Sequence, residues 1–327
     1  ITVTPDNASK VYGESDKEFT YTPSGLVGED TLSDITLSRA EGDNVGTYEI
    51  TAAQKKDANP NYSVKFNKGT FTINPKEITV TITPNGGTYE GNIISAAAVL
   101  NGLVGEDKPE IILTYAGKAN DGTEVNGTKT PVLAGTYTVT ASITDSNYNL
   151  KAEGTTAEFV VTKATPGLSV AAVSDKSYGE GAFKLGVSNK GDGLKSYVSS
   201  NEKVVTVDEK GTVTIVGAGT ATLTVSLAES ANYTADRKAV TVTVAPKEIT
   251  VTADNQKKIA GEADPVLTYT ADGLVGEDTL SGITVKRKAG EKVGTYTVTV
   301  SQEAGSNPNY RITFKKGTFT IQQADQS

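Results

Sequence analysis

The 327-residue sequence contains no cysteine, histidine, methionine or tryptophan. Without cysteine the chain can form no disulfide, so its stability must come from packed cores. Without histidine and cysteine it can build neither a Ser-His-Asp or Cys-His nucleophile nor the usual zinc site. These absences exclude the commonest hydrolytic mechanisms and leave open the paired-carboxylate chemistry of glycoside hydrolysis.

Long apolar runs and clustered positive charge are absent as well. No window approaches 18 consecutive apolar residues, which predicts that nothing in this chain spans a membrane. The net charge is −8 and the charges are dispersed, which argues against nucleic acid as a partner. Because the chain starts at Ile1 and has no methionine, we expect a processed or excised piece whose signal peptide and anchor lie outside it.

The residues that are present favour β-structure. Thr and Val recur in almost every segment, and stretches such as 78–82 and 137–141 alternate apolar and polar residues with period two. Gly, Asn, Asp and Pro interrupt these stretches about every 8–12 residues, a spacing typical of sandwiches. No segment shows a helical period, so the sequence predicts an all-β fold.

An internal repeat defines the organisation of the chain. Residues 1–75 align without a gap with residues 249–323, and 43 of the 75 positions are identical. Both copies contain Gly-Leu-Val-Gly-Glu-Asp-Thr-Leu-Ser, at 25–33 and 273–281. Identity at this level over a whole domain length indicates two copies of one domain.

A diverged third copy follows the first. It repeats the same blocks as Gly102–Asp107, Ala134–Thr140 and Asn147-Tyr148. Between the first two of these blocks lies an insertion with two turn signals, Asn120-Asp121-Gly122 and Asn126-Gly127, which predicts an extra or lengthened hairpin. Residues 164–246 have a different pattern and form a domain of another type.

The sequence therefore predicts a tandem array of four small immunoglobulin-like β-sandwiches. We call them D1 (1–75), D2 (76–163), D3 (164–246) and D4 (247–327). The linkers 74–76 and 245–247 each contain one proline and leave little room for a domain to fold back. We expect a monomeric, elongated rod of roughly 150 Å, counting about ten residues of ~3.3 Å per strand in each domain.

Two families resemble these patterns. D1, D2 and D4 resemble the MBG repeats of bacterial surface proteins through Gly-Leu-Val-x-Gly-Asp, Gly-Thr-Tyr, Asn-Tyr and Gly-Thr-Phe-Thr-Ile motifs. The family's opening Tyr-Gly is present as Tyr12-Gly13 in D1 but is Ala260-Gly261 in D4, so the tyrosine is not essential to the fold. D3 resembles the bacterial Ig-like group 2 domain through Ser199-Ser200-Asn201, Val204–Asp208 and Gly217–Ala221.

The resemblance implies an extracellular location, at the bacterial cell surface or in the cell wall. These families are mostly stalk modules, so we expect a non-catalytic spacer that projects another domain from the surface. The alternative is an adhesive module that binds a host glycan or a matrix protein. The insertion at 115–130 of D2 has no counterpart in the other copies, so it would carry such a site.

Three adjacent carboxylate pairs are the candidate chemical sites: Glu29-Asp30, Glu106-Asp107 and Glu277-Asp278. They could serve as catalytic pairs, or as weak calcium ligands, since Ca²⁺ takes oxygen ligands from flexible loops. A pair repeated in three domains is better explained as a shared turn than as three active sites. Calcium is the only cofactor that the sequence leaves open.

Recurrent tyrosines are a second set of candidates. Tyr48, Tyr137 and Tyr296 could stack on sugars, but their repetition at one domain position favours a buried ring whose hydroxyl bonds to the backbone. The Asn-Tyr pairs are expected to mark the entry to a late strand; they are Asn61-Tyr62, Asn147-Tyr148, Asn232-Tyr233 and Asn309-Tyr310. A Lys–Asn isopeptide staple also remains open, because no linear spacing reveals it.

Overall fold

The computed structural model describes residues 1–324, which form 31 β-strands and no helix. This confirms the predicted all-β class. Contacts divide the chain into two compact units, one comprising Ile1–Ala164 and the other beginning at Thr165. No helix long and apolar enough to cross a membrane occurs in the described part of the chain.

D1 is built from two sheets, a three-stranded one in the order β3-β1-β6 and a four-stranded one in the order β2-β7-β5-β4. Its strands are β1 (Thr2–Pro5), β2 (Ala8–Val11), β3 (Tyr21–Ser24), β4 (Ile35–Arg39), β5 (Gly46–Gln54), β6 (Lys65–Phe66) and β7 (Gly69–Asn74). Along β7, Phe71 and Ile73 are buried and Thr70 is exposed, as period-two alternation predicts. Together with Ile50 they form the core, and burial of each such side chain contributes about 1.5–3 kcal/mol.

The first strand of D1 changes sheets at Asp6 and Asn7, between β1 and β2. The Asp6 carboxylate accepts two threonine hydroxyls, each at 2.7 Å, and the Asn7 amide oxygen accepts a backbone N–H of β7 at 2.9 Å. Asp254 and Asn255 make the same bonds in D4. The polar pair therefore satisfies the backbone and hydroxyl groups that a strand leaves unpaired where it crosses from one sheet to the other.

D2 has sheets in the orders β10-β8-β14 and β12-β11-β13-β15-β9. Its strands are β8 (Lys76–Thr83), β9 (Gly86–Thr88), β10 (Ala97–Asn101), β11 (Ile111–Ala119), β12 (Glu124–Gly127), β13 (Gly135–Ile143), β14 (Tyr148–Leu150) and β15 (Thr156–Thr162). The predicted insertion is a hairpin of β11 and β12, in register from Tyr115↔Gly127 to Lys118↔Glu124. The hairpin prediction is confirmed.

D3 differs from the other domains in having three sheets, in the orders β16-β19, β17-β24-β23-β20 and β18-β22-β21. Its strands are β16 (Ser169–Val170), β17 (Lys176–Ser177), β18 (Phe183–Lys184), β19 (Val187–Ser188), β20 (Lys195–Ser199), β21 (Val205–Val207), β22 (Thr212–Ile215), β23 (Gly219–Leu227) and β24 (Asp236–Ala245). The long β23–β24 hairpin places Leu223, Val225 and Val242 in the core.

D4 repeats D1, with sheets in the orders β27-β25-β30 and β26-β31-β29-β28. Its strands are β25 (Lys247–Ala253), β26 (Gln256–Ile259), β27 (Tyr269–Asp272), β28 (Ile283–Arg287), β29 (Gly294–Gln302), β30 (Tyr310–Lys315) and β31 (Gly317–Gln322). Phe319 and Ile321 occupy the core positions of Phe71 and Ile73. Among residues 1–324, no strand pairing crosses the predicted boundaries of D1–D4.

Candidate domain-docking interface

D1, D2 and D4 each contain the same short chain of hydrogen bonds, which we call the acceptor. In each acceptor a valine N–H donates to a tyrosine hydroxyl, and that hydroxyl donates to an aspartate. The three acceptors are Val27, Tyr62 and Asp30 in D1, Val104, Tyr148 and Asp107 in D2, and Val275, Tyr310 and Asp278 in D4. The N–H to hydroxyl distances are 3.1, 3.0 and 2.9 Å in that order. The recurrent Leu-Val-Gly-Glu-Asp and Asn-Tyr motifs are therefore two halves of one structure.

A tight turn places the valine and the aspartate of each acceptor side by side. In D2 the Asp107 N–H donates to the Val104 carbonyl at 3.0 Å, and D1 and D4 have the equivalent bond. The glycine inside the turn has a φ of +49° in D2, the left-handed region that glycine adopts without a steric cost. This confirms that the Glu-Asp pairs mark a shared turn.

A second element, which we call the donor hairpin, has the sequence Tyr-Gly-Glu. It occurs at 12–14 in D1 and at 178–180 in D3. The Glu14 carboxylate accepts the Val11 N–H at 3.1 Å while the Glu14 N–H donates to the Val11 carbonyl at 3.0 Å. Glu180 makes the same two bonds to Ser177. The reciprocal bonds hold the tyrosine and the glycine at the tip of the domain.

Within each compact unit, a donor hairpin docks on the acceptor of the following domain. The Tyr12 hydroxyl donates to Asp107 Oδ2 at 3.0 Å, and its ring meets the Tyr148 ring edge-on, with centroids 5.3 Å apart. In D3 and D4, the Tyr178 hydroxyl donates to Asp278 at 2.8 Å and its ring lies 5.5 Å from that of Tyr310. One carboxylate oxygen thus accepts two hydroxyls, one from each domain, beside a T-shaped aromatic pair.

The glycine of the donor hairpin is required by both conformation and space. Gly13 has a φ of +86°, and a Cβ added there would lie 2.4 Å from Val104 Cγ2. Gly179 has a φ of +90°, and its added Cβ would lie 2.5 Å from Val275 Cγ2. A side chain at this position would therefore clash with the acceptor valine wherever that valine is kept.

The asparagine that precedes the acceptor tyrosine makes a second contact across each junction. Asn147 accepts the Val45 N–H at 2.9 Å, and its amide donates to the Asn44 side chain at 3.1 Å. Asn309 accepts the Ala218 N–H at 2.8 Å. Asn147-Tyr148 and Asn309-Tyr310 also open β14 and β30, as predicted, whereas Asn61-Tyr62 and Asn232-Tyr233 lie in the loops before β6 and β24.

The environment of the acceptor disfavours ionisation of its tyrosines. Burial first, and the hydrogen bond to Asp107 second, raise the pKa of Tyr148 to about 12. Burial and Asp278 likewise raise the pKa of Tyr310 to about 12. The hydrogen bonds to these aspartates are also the first cause of the raised pKa of Tyr12 and of Tyr178. The hydroxyls are therefore held as hydrogen-bond donors across the physiological pH range.

The carboxylate pairs separate into two roles. Asp30, Asp107 and Asp278 accept tyrosine hydroxyls, whereas their neighbours Glu29, Glu106 and Glu277 are exposed. In the described part of the chain, no three Asp or Glu residues are grouped so as to hold a metal ion. Calcium binding stays a prediction, and the geometry gives these aspartates a different partner.

The Gly-Thr-Tyr tyrosines have the arrangement favoured above. The hydroxyls of Tyr48, Tyr137 and Tyr296 donate to backbone carbonyls four residues earlier at 2.7, 2.8 and 2.7 Å. The Tyr137 ring is also buried. A tyrosine tied in this way supports the fold of its own domain.

The β11–β12 insertion borders an open groove of about 350 Å³. Residues 124–133 and the buried Tyr137 line it, and Val132 is 54% exposed. Val125 and Leu133 contribute apolar surface to the groove, and Thr128 and Lys129 contribute polar groups. This groove lies where the sequence predicted an adhesive site.

D1 and D4 contain an ion cluster that the sequence reasoning missed. In D4, Lys258 and Arg287 both pair with Asp264, at 2.8 and 2.5 Å, and the guanidinium lies 4.9 Å from the Phe319 ring centre. Arg287 first and Lys258 second lower the pKa of Asp264 to about 2. Lys10, Asp16 and Arg39 form the same cluster in D1. The signal was available, because these charges are identical in the two copies although they lie within or beside strands.

D2 replaces this cluster by an aromatic contact. In D1, Arg39 pairs in register with Ile50. The D2 residue equivalent to Ile50 is Val139, and its partner in register is Tyr115, so Tyr115 takes the place of the arginine. The Tyr115 ring packs against Phe159 with centroids 5.2 Å apart, and its hydroxyl accepts a backbone N–H at 3.2 Å.

The predicted option of a Lys–Asn isopeptide staple stays untested. Lys10 and Lys258, the buried lysines among residues 1–324, form ion pairs with carboxylates.

Family models match nearly the whole chain. Residues 1–72 and 249–320 match the model described as MBG domain (YGX type), and residues 78–165 match the model described as MBG domain. Residues 178–229 match the immunoglobulin-like domain of intimin. D3 is thus confirmed as an immunoglobulin-like domain, and the model that matches it is that of intimin. No curated protein matches the chain.

Several solved structures are similar over most of the chain. Domains 1–6 of the surface-layer protein SbsC are 15% identical, cover 86% of this chain and 45% of their own, and give a TM-score of 0.24. BT4661, a SusE-like surface-located polysaccharide-binding protein from Bacteroides thetaiotaomicron, is 12% identical, with coverages of 89% and 54% and a TM-score of 0.23. The chain spans about half the length of these structures.

Proposed function

Because this chain belongs to the MBG-domain family, with one intimin-type immunoglobulin-like domain among its MBG repeats, we propose that it is a non-catalytic spacer of a bacterial cell-surface protein. The observation that carries the proposal is the docking of Tyr12 on D2 and of Tyr178 on D4. A flexible tether has no need of contacts between its domains. A spacer that holds distance and orientation does need them.

Docking stiffens the junction between D1 and D2 and the junction between D3 and D4. Each junction combines a short linker, a hydroxyl–carboxylate bond and an edge-on ring pair, so bending must break several contacts at once. A hydrogen bond to a charged group contributes about 1.5–3 kcal/mol, and an aromatic pair about 0.5–1.5 kcal/mol. Thermal energy is about 0.6 kcal/mol, so a docked junction bends rarely.

Small-angle X-ray scattering tests the spacer function. A compact globule of 327 residues has a radius of gyration of about 20 Å, whereas a rod of roughly 150 Å has about 40 Å. We expect the larger value for the wild type and a broader distance distribution for a Tyr12→Ala/Tyr178→Ala variant. A value near 20 Å for the wild type would refute the spacer.

The groove beside the insertion favours a second candidate function, adhesion to a host glycan or a matrix protein. Part of its lining, residues 124–127, forms β12, a strand that D1 and D4 lack. The test is binding of the full chain to arrays of glycans and matrix proteins, with calcium and then with chelator. Val132→Asp should abolish binding, while Val99→Asp, on an exposed position of β10, should not. Binding that persists in the Val132→Asp variant would exclude the groove.

A further inference from the structure

The D1 acceptor has the same internal bonds as the acceptors of D2 and D4. The Val27 N–H lies 3.1 Å from the Tyr62 hydroxyl, which donates to Asp30 at 2.5 Å. Its exposure is different, however. Val27 is 70% exposed and Asp30 is exposed, whereas the corresponding valines and aspartates of D2 and D4 are half-buried beneath a donor hairpin. D1 therefore presents a formed acceptor to solvent.

We propose that Val27, Asp30 and Tyr62 form a docking surface for the Tyr-Gly-Glu hairpin at the tip of another immunoglobulin-like domain. The proposal extends the spacer function by naming the partner of one surface. It rests on the two junctions seen within this chain, where a donor from D1 docks on D2 and a donor from D3 docks on the equivalent acceptor of D4. Docking in D1 would give Asp30 a second hydroxyl and cover Val27 with a glycine.

The acceptor selects for both residues of the hairpin tip. A carboxylate oxygen has two lone pairs, and in D2 and D4 the second one takes the tyrosine of the neighbouring domain. The valine leaves no space for a Cβ on the approaching residue, because a Cβ added at Gly13 would lie only 2.4 Å from the Val104 side chain. A partner without tyrosine loses the bond, and a partner without glycine clashes.

D4 provides a natural comparison for the missing tyrosine. Its tip has the same turn: Glu262 accepts the Ile259 N–H at 3.1 Å, and Gly261 has a φ of +96°. The tyrosine position is Ala260, so this tip presents the turn without the ring. We therefore expect a second copy of the chain to bind D1 poorly through D4, and Ala260→Tyr to create a donor.

Disulfide trapping tests the proposal in full-length chains, which are otherwise free of cysteine. A Cβ added at Gly179 would lie 3.6 Å from the Val275 Cβ, within the range of about 3.5–4.5 Å found in disulfides. Replacing Val275 by cysteine in the same chain removes the Cγ atoms with which that Cβ would clash. The equivalent pair between chains is Gly261→Cys on one chain and Val27→Cys on the other. The rate of the mixed disulfide is measured in glutathione buffer, with and without Ala260→Tyr.

We expect Ala260→Tyr to accelerate cross-linking to the Val27→Cys chain at least about tenfold, the factor that a hydrogen bond to a charged acceptor supplies. Asp30→Asn in the acceptor chain should remove most of the gain. In the control, Leu194→Cys replaces Gly261→Cys in the donor chain, so the cysteine lies at an 85% exposed position of D3. Ala260→Tyr should not accelerate cross-linking of this control chain. Equal rates with and without Ala260→Tyr would overturn the proposal.

Two controls keep that result interpretable. A Gly179→Cys/Val275→Cys chain should close its internal disulfide, which verifies that the reporter geometry works at an existing junction. Circular dichroism verifies that each variant remains folded. Failure of cross-linking together with a large radius of gyration would remove the D1 docking surface and leave the spacer function intact.

Discussion

Ionisation of Tyr310 gives an optical measure of the junction between D3 and D4. Burial of the ring and its bond to Asp278 raise its pKa to about 12, two units above the ordinary value. Two units correspond to about 3 kcal/mol in favour of the protonated hydroxyl. Because the folded-state pKa is raised, this contribution to stability is fully present below pH 10 and is lost as the pH rises to about 12.

The assay is phenolate absorbance after a rapid pH jump, read before the protein unfolds. The chain has 14 tyrosines and no tryptophan, so the signal is free of indole absorbance. Subtracting the curve of a Tyr310→Phe variant from that of the wild type isolates the Tyr310 titration, which we expect near pH 12. In a Tyr178→Ala background, water reaches the Tyr310 ring. The pKa of Tyr310 should then fall by about one unit, which corresponds to about 1.4 kcal/mol.

Two outcomes would refute this account. A difference titration near pH 10 in the wild type would mean that Tyr310 is neither buried nor bonded to Asp278. A titration near pH 12 that Tyr178→Ala leaves unchanged would mean that the donor hairpin does not cover the ring. Tyr178→Phe, which keeps the edge-on ring and lacks the hydroxyl, is the matched control and should preserve most of the shift.

The remaining predictions concern single domains. Asp264→Asn should destabilise D4 above about pH 4, and its difference in stability from the wild type should vanish as the pH falls through about 2. The reason is that Asp264, whose pKa is lowered, contributes stability only while its carboxylate is charged. Acid titration followed by circular dichroism checks this. Tyr137→Phe should lower the free energy of unfolding of D2 by about 1–2 kcal/mol in urea, because the partly buried carbonyl of Leu133 loses its donor. Asp254→Ala should increase amide hydrogen exchange in β25 and β26, because two threonine hydroxyls lose their charged acceptor at the point where the strand changes sheets. The expected loss of local stability is about 1 kcal/mol.

Much of the fold was predictable because its signals are local. Period-two alternation predicted the strands, and the turn signal at 120–122 predicted the β11–β12 hairpin that the structure contains. The second signal, Asn126-Gly127, lies within β12 and marks no turn. The recurrence of Glu-Asp in three domains indicated a shared turn, because independent active sites would not keep one position. Each of these inferences needs only residues that are close together in the sequence.

The docking interface could not be predicted in the same way. Tyr12 and Asp107 are 95 residues apart, and no periodicity links them. The loss of the tyrosine in D4, where Ala260 replaces it, indicated that the residue is dispensable for folding, which agrees with its contact to a different domain. The ion clusters were missed for another reason: a lysine such as Lys258 within a strand reads as a solvent-facing residue until its neighbours Asp264 and Arg287 are known.

The Tyr-Gly-Glu hairpin has a consequence for how such chains evolve. D1 and D3 match different family models and have different sheets. Both nevertheless carry the same Tyr-Gly-Glu hairpin at one tip of the domain, and both hairpins fit the same kind of acceptor. The joint is therefore independent of the module that carries it. Exchange of a module that keeps the tip or the acceptor would leave its docking partner unchanged, so modules can be replaced while each docked junction keeps its contacts.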